Sequence, residues 1–170
     1  YNDLYDIYHD YEGMNNIKTI NDNAGIQPVK VDEEIIELLK LGITMDEKTD
    51  GNMNIAMGSV LSIWHDYREA GSEDPYSAEL PPMDELERAA EHTDIHDIVI
   101  DEEASTVYLT DPDMSLDVGS IGKGYAVQKV AEYAKNELGI RYMLFFGRGK
   151  CVRYWRTPGW KRLGGRNSES

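Results

Sequence analysis

Cysteine is almost absent: Cys151 stands alone, which excludes an internal disulfide or a cysteine zinc site and leaves the redox compartment open. Basic residues are scarce. Seventeen Lys and Arg face 32 Asp and Glu, giving a formal charge of −15 and a pI near 4.5. That balance argues against nucleic acid, whose phosphates need a basic face. No apolar run approaches the roughly 20 residues that span a bilayer, and no signal-peptide pattern is present. An initiator Met is also lacking, so the chain opens at Tyr1 as a fragment would. What remains is one domain's length, enough to bury a core.

Glycine, by contrast, is concentrated. Asp117-Val118-Gly119-Ser120-Ile121-Gly122-Lys123-Gly124-Tyr125-Ala126 places three glycines between a hydrophobic run and an amphipathic helix pattern. Glycine permits positive φ and close backbone approach, so such a junction can set main-chain N–H groups against a phosphate or a flat cofactor. Lys123 adds a cation and Asp117 an acceptor. Spacing alone favours a tight turn capping an ordinary helix. A P-loop is excluded, because Gly124 rather than Ser or Thr follows Lys123. The G-x-G-x-x-G order of dinucleotide folds is missing too.

Along the chain, Leu4, Ile7, Tyr8, Tyr11, Met14, Ile17 and Ile20 recur at three- and four-residue steps, predicting a helical face broken near Gly13. A turn at 21–25 and an extended piece at 27–31 follow. Asp32 caps a helix with Ile35, Ile36, Leu38 and Leu39 inward, and Gly42 marks its weakening. Residues 54–67 form a second helix, with Ile55, Val60, Ile63 and Trp64 on one face. A loop is expected over 70–82 and a short helix over 83–92. His92 and His96, with Asp94 and Asp97, have metal-like spacing, but the chain leaves the helix there, and they read as solvated turn residues. Residues 98–101 and 106–110 read as a hairpin. Residues 114–117 read as a short strand before the glycine turn. A helix from 124 to 138, with Ala126, Val127, Val130, Ala131 and Ala134 inward, ends at Gly139. An apolar strand at 140–146 is expected to pair beside 114–118. Helices mixed with hairpins favour an α+β class, with a mixed sheet packed against helices.

The glycine stretch resembles the Asp-Leu-Gly-Gly-Ile-Ala-Lys-Gly-Tyr-Ala signature of the ApbE family, the FAD:protein FMN transferases. Two upstream blocks are similar in order and spacing. Thr49-Asp50-Gly51 with Asn54 through Trp64 resembles the family's Asp-Gly…Asp-Pro-Thr-x-Gly-Pro-Leu…Leu-Trp segment, and Tyr11 with Ile17 through Asn21 resembles its Tyr…Ile-Asn segment. The resemblance implies an incomplete ApbE-like fold over residues 1–146. It implies a reaction that moves FMN from FAD to a Thr or Ser of a target flavoprotein, with release of AMP and with Mg²⁺. By position it assigns FAD contacts to Asp117, Lys123, Tyr11 and Trp64, with backbone approach at Gly119 and Gly122, and a metal-binding oxygen to Ser120. Helix capping by Asp117, a solvated Lys123 and core packing of Tyr11 or Trp64 remain the competing readings.

Asn54-Ile55-Ala56 replaces the family's Asp-Pro-Thr, and no histidine here matches the family's catalytic one, so no catalytic residue is assigned. The family's remaining metal ligands belong to a C-terminal half this chain lacks. The expectation is a truncated, inactive copy of a transferase. Its full-length form would meet an acceptor flavoprotein of a redox complex at the outer face of the cytoplasmic membrane, held there by a lipid anchor this chain lacks. A non-catalytic flavin- or protein-binding module is the alternative.

From Gly147 the character changes. Residues 147–170 hold seven of the 17 basic residues and one of the 32 acidic ones. One reading is a flexible basic tail. The other is a frameshift: read one nucleotide on, 147–153 can encode Gly-Gly-Gly-Asn-Val-Tyr and 166–170 can encode Gly-Ile-Gln-Asn-Pro, both similar to what the ApbE family carries after this strand.

Overall fold

The computed structural model describes residues 1–140 and two strand segments, 144–146 and 152–154. The chain divides into two compact units, Tyr1–Gly122 and Lys123–Ser170. In the first unit, α1 (Ile17–Asp22) is followed by β1 (Val29–Lys30), α2 (Glu33–Thr49), α3 (Gly58–Glu73), α4 (Met83–Ala90), a 3-10 turn (Ile95–Asp97), β2 (Ile98–Asp101) and β3 (Thr106–Leu109). Helix α5 (Gly119–Asn136) runs from the first unit into the second, which also holds the antiparallel pair β4 (Leu144–Phe146) and β5 (Val152–Tyr154).

The three-stranded sheet has the order β1-β3-β2 and is antiparallel throughout. The expected hairpin is there, with Ile98 opposite Leu109 and Asp101 opposite Thr106. Val107 and Leu109 are fully buried and alternate with partly exposed Thr106 and Tyr108, the period-two pattern of a sheet with one covered face. Ile17, Ile20, Ile35, Leu38, Leu39, Ile55 and Leu116 complete the centre of the core. Among the described residues, no helix is long and apolar enough to cross a membrane.

Three expectations need correction. Residues 1–16 form turns rather than a helical face, because side chains capture their backbone. The Asp6 carboxylate accepts from the N–H of Tyr8 (2.7 Å) and of His9 (3.1 Å), Gly13 adopts φ +76°, and buried Asn16 caps α1 by accepting from Thr19 N–H. Gly42 does not weaken α2. It lies mid-helix where a Cβ would come within 2.6 Å of Ile55 Cδ1, so glycine there permits close approach. Helix α3 continues to Glu73, which shortens the loop expected from residue 70.

Two further differences concern the glycine stretch and its neighbour. The three glycines of 119–124 lie inside the first turns of α5, and positive φ occurs at Gly13, Gly25, Gly51 and Gly139 instead. Residues 114–118 are not a full strand. Ser115 makes a single parallel bridge with Met57, and β4 has β5 as its antiparallel partner. In α5, Ala131 and Ala134 are buried as expected, whereas Val130 is exposed. Gly139 (φ +65°) closes the helix, with Ile140 N–H donating to Ala134 C=O at 3.0 Å. Apart from β5, the basic tail with Cys151 lies outside the described residues.

Candidate functional site

Asp117 is held by its neighbours on both sides. Asn21 of α1 reaches across 95 residues of sequence to Leu116. Its Oδ1 accepts from Leu116 N–H (2.8 Å) and its Nδ2 donates to Leu116 C=O (3.1 Å). The amide thereby substitutes for a neighbouring strand and satisfies the backbone of a fully buried residue. On the other side, Asp117 N–H donates to Ile55 C=O (2.9 Å) and Gly58 N–H donates to Ser115 C=O (2.9 Å). Residues 55–58 lead directly into α3, so the start of α3 and the Asp117 turn are fixed to one another.

At the turn itself, Asp117 Oδ1 accepts from Gly119 N–H at 2.7 Å. A Cβ at residue 119 would stand 2.9 Å from that oxygen, so Gly119 is small to leave the carboxylate its place. Capping therefore occupies one Asp117 oxygen; the other has no hydrogen-bond partner among the described residues. Gly122 is buried, with Tyr5 beside it. Ser120 is exposed in the first turn of α5, and Lys123 is exposed later in the same helix.

Tyr8 is an exposed aromatic residue that feels the charge of Asp117. Burial raises its hydroxyl pKa, and the negative charge of Asp117 pushes in the same direction, with Arg68 opposing. The Tyr8 ring lies against His65 of α3, with centroids 5.2 Å apart and planes tilted by 31°. Arg68 donates to His65 Nδ1 at 2.6 Å, and His65 Nε2 faces Glu69 at 3.1 Å, which places the ring proton on Nε2. Trp64 precedes His65 on α3 and is 43 % exposed, so it is not simply core.

Tyr11, the position the motif assigns to a flavin contact, has its hydroxyl engaged within the chain. Its hydroxyl donates to Asp6 Oδ2 at 2.7 Å. Burial works to raise the pKa of Asp6, but the bonds from Tyr8, Tyr11 and His9 outweigh it and hold the carboxyl down at about 2. Tyr11 thus supports the loop that carries Tyr8. The spacing pattern contained Tyr8 only as one apolar position among seven, and nothing in it distinguished Tyr8 from Tyr11.

His92 is not a solvated turn residue. Its Nδ1 donates to Asp111 Oδ2 at 2.7 Å, and its Nε2 stands 4.0 Å from Asp113 Oδ2. The hydrogen bond with Asp111 raises the His92 pKa. Burial acts to raise that of Asp111, but the bonds from Asp113 N–H and His92 lower it on balance. The Asp residues expected beside His92 and His96 serve the backbone and the loop instead. Asp94 accepts from His96 N–H, and Asp97 accepts from the Thr110 hydroxyl.

Chemically, the Asp117 region offers an exposed aromatic surface, a carboxylate with one uncommitted oxygen, and the N-terminus of an 18-residue helix. This set can hold a flat ring and a polar or phosphate group. Among the described residues, no Ser or Thr hydroxyl is hydrogen-bonded to a histidine, so no nucleophile–base pair is formed. No group of three carboxylates or imidazoles gathers at Ser120 either. The residues described here do not by themselves fit a magnesium ion at that position, and no step is routed through one.

Known proteins resemble this chain over most of its length. An FAD:protein FMN transferase of Klebsiella pneumoniae is 28 % identical over 121 residues, covering 71 % of this chain and 36 % of the relative. The ApbE protein of Thermotoga maritima superposes with a TM-score of 0.58 at 29 % identity, over 70 % of this chain and 36 % of that one. A variant of flavin transferase ApbE from Vibrio cholerae gives a TM-score of 0.73 at 21 % identity, over 91 % of this chain and 49 % of that one, a likeness of fold. The chain therefore spans less than half the length of these relatives. The family model described as ApbE family matches residues 1–158. Because that model takes in most of the 170 residues, this chain belongs to the ApbE family.

Proposed function

We propose that this chain carries part of the FAD-binding side of an FAD:protein FMN transferase. In that reaction a Ser or Thr hydroxyl of an acceptor flavoprotein attacks the phosphorus on the FMN side of FAD. A new P–O bond forms as the bond to the AMP phosphate breaks, AMP leaves, and the hydroxyl proton passes to a base. The observation that carries the reading is Asp117, fixed at the N-terminus of α5 by Gly119 N–H and by Ile55 C=O, with its second carboxylate oxygen uncommitted among the described residues. Asp117 accepts from the nucleotide, and the first-turn N–H of Ser120 meets a phosphate oxygen. Tyr8 and Trp64 offer ring faces. Tyr11 acts through Asp6.

The base and the Mg²⁺ ligands are not gathered among the described residues, so the isolated chain binds FAD weakly and does not transfer FMN. The acceptor would be a flavin-carrying subunit of a redox complex, met at the outer face of the cytoplasmic membrane by a lipid-anchored form of the protein. The basic stretch after residue 146 is read as out-of-frame; resequencing the gene across the codons for 144–150 tests that reading.

Flavin fluorescence quenching on the 170-residue chain tests the site. Weak saturable binding that falls at least about tenfold in Asp117→Ala is expected, the loss of one hydrogen bond to a charged group. Equal binding by parent and variant would sink the assignment. Covalent flavin formed from FAD, Mg²⁺ and an acceptor peptide would instead overturn the inactivity of the isolated chain.

A further inference from the structure

We propose that His92, Asp113 and Asp111 form a binding site for a divalent transition-metal ion of the zinc class. One donor atom of each side chain lies within 4.8 Å of the others; His92 and Asp113 are the ligands, and Asp111 supports the imidazole from behind. Asp111 accepts the Nδ1 proton at 2.7 Å, which fixes the tautomer and leaves Nε2 with its lone pair toward Asp113, 4.0 Å away. A carboxylate that orients an imidazole from behind while the far nitrogen binds the ion is the usual outer support of a metal-bound histidine.

The spacing suits one ion. Two ligands each about 2.0–2.2 Å from a metal stand up to roughly 4 Å apart, and closer in tetrahedral geometry. The Asp113 side chain is 72 % exposed and has room to move inward. Two carboxylates also face one imidazole, and neither has a Lys or Arg ion-pair partner among the described residues. A cation relieves that excess of negative charge. An imidazole nitrogen in the set selects Zn²⁺, Co²⁺ or Ni²⁺ over Mg²⁺ and Ca²⁺.

The ligands are held on both sides. Asp111 Oδ1 accepts from Asp113 N–H (2.8 Å), and Thr110 N–H donates to Asp97 C=O (3.0 Å). Pro112 lies directly on Gly25, where an added Cβ would come within 2.5 Å of it. On the histidine side, Asn54 Nδ2 donates to Thr93 C=O at 2.8 Å. The candidate site thus joins the turn after α4 to the loop that leads into residues 114–118.

The test uses the metal-stripped 170-residue chain in a Cys151→Ser background, titrated with Co²⁺ and Zn²⁺ by calorimetry and Co²⁺ absorption. One ion per chain is expected, undisturbed by excess Mg²⁺, with at least tenfold loss in His92→Asn and no change in His96→Ala. Asp111→Asn should weaken binding roughly 10–100-fold, as removal of an outer-shell carboxylate does. If His92→Asn does not fold, Asp113→Asn, altered at an exposed carboxylate, should lose at least tenfold with an unchanged melting curve. Absence of saturable binding by the parent, or unaltered affinity in the folded His92→Asn or Asp113→Asn variant, overturns the proposal.

Discussion

Replacing Gly58 with alanine tests whether the Asp117 turn depends on the close backbone contact beneath it. Alanine is ordinarily the better helix residue by about 1 kcal/mol, so propensity alone predicts a gain at the first position of α3. The contact predicts the reverse. An added Cβ would stand 2.5 Å from both the carbonyl oxygen and the Oγ of Ser115, and 2.7 Å from its carbonyl carbon. The carbonyl cannot simply retreat, because it accepts the Gly58 N–H at 2.9 Å, and Asp117 is tied to Ile55 two residues on. Overpacking of this kind costs about 1–3 kcal/mol, which outweighs the propensity gain. Set against that gain, a net loss of up to about 2 kcal/mol should lower the melting temperature by up to roughly 8 °C for a chain of this size. Gly122→Ala is the companion. Its Cβ would meet Tyr5 Cδ2 at 3.5 Å and Val118 Cγ2 at 3.8 Å, ordinary contact distances, inside α5. It should gain up to about 1 kcal/mol. Calorimetric melting of the two variants beside the parent decides the matter. If Gly58→Ala melts at or above the parent temperature, the Gly58–Ser115 contact is not what fixes the turn.

Other perturbations read different parts of the same support. Ile55→Ala should lose about 2–5 kcal/mol from a fully buried site. Gly42→Ala should lose up to about 2 kcal/mol net of the helix-propensity gain, yet less than that in the Ile55→Ala background, because the clash at 2.6 Å is with Ile55 itself. Strict additivity in urea melts would refute that coupling. Asn21→Ala should cost about 2–4 kcal/mol by leaving the N–H and C=O of buried Leu116 without partners; a loss below about 1 kcal/mol would show that water or a shifted backbone replaces the amide. Asp6 carries a pH signature. Its pKa is depressed to about 2 from 3.8, so its contribution is fully present above about pH 4 and is lost as pH falls toward 2. In Tyr11→Phe the midpoint read by NMR on the Asp6 carboxyl should move up toward the ordinary value; an unmoved midpoint would remove Tyr11 from that network.

Much of the fold was legible where the signal is a period. The hairpin at 98–109 follows strand alternation, and α2 follows the helical spacing of Ile35, Ile36, Leu38 and Leu39 with acidic residues in its first turn. Gly139 ends α5 by the positive φ it was expected to supply. Other features are set by partners far away in the chain, which no local window contains. Spacing put Leu4 to Met14 on a helix, but Asp6 and Asn16 hold that backbone in turns. Gly42 looked like a breaker because Ile55, its reason, lies in another element. His92 looked solvated because Asp111 is 19 residues on. For the site, Asp117 came from a motif, while Tyr8 and His65 belong to it only through tertiary packing.

The amide of Asn21 bears on the order in which the molecule assembles. Its two bonds to Leu116 close a loop of 95 residues, whereas α2 and the β2–β3 hairpin need only near neighbours. Closing so long a span brings a large entropy loss before any contact rewards it, so such pairings follow the local ones. On a ribosome adding about 5–20 residues per second, α1 is complete well before Leu116 has been synthesised. The Asp117 turn is therefore among the last parts of the first unit to take shape. Until then Asn21 waits with its amide in water, and a nascent chain that stalls short of Leu116 has no partner to close the Asp117 turn.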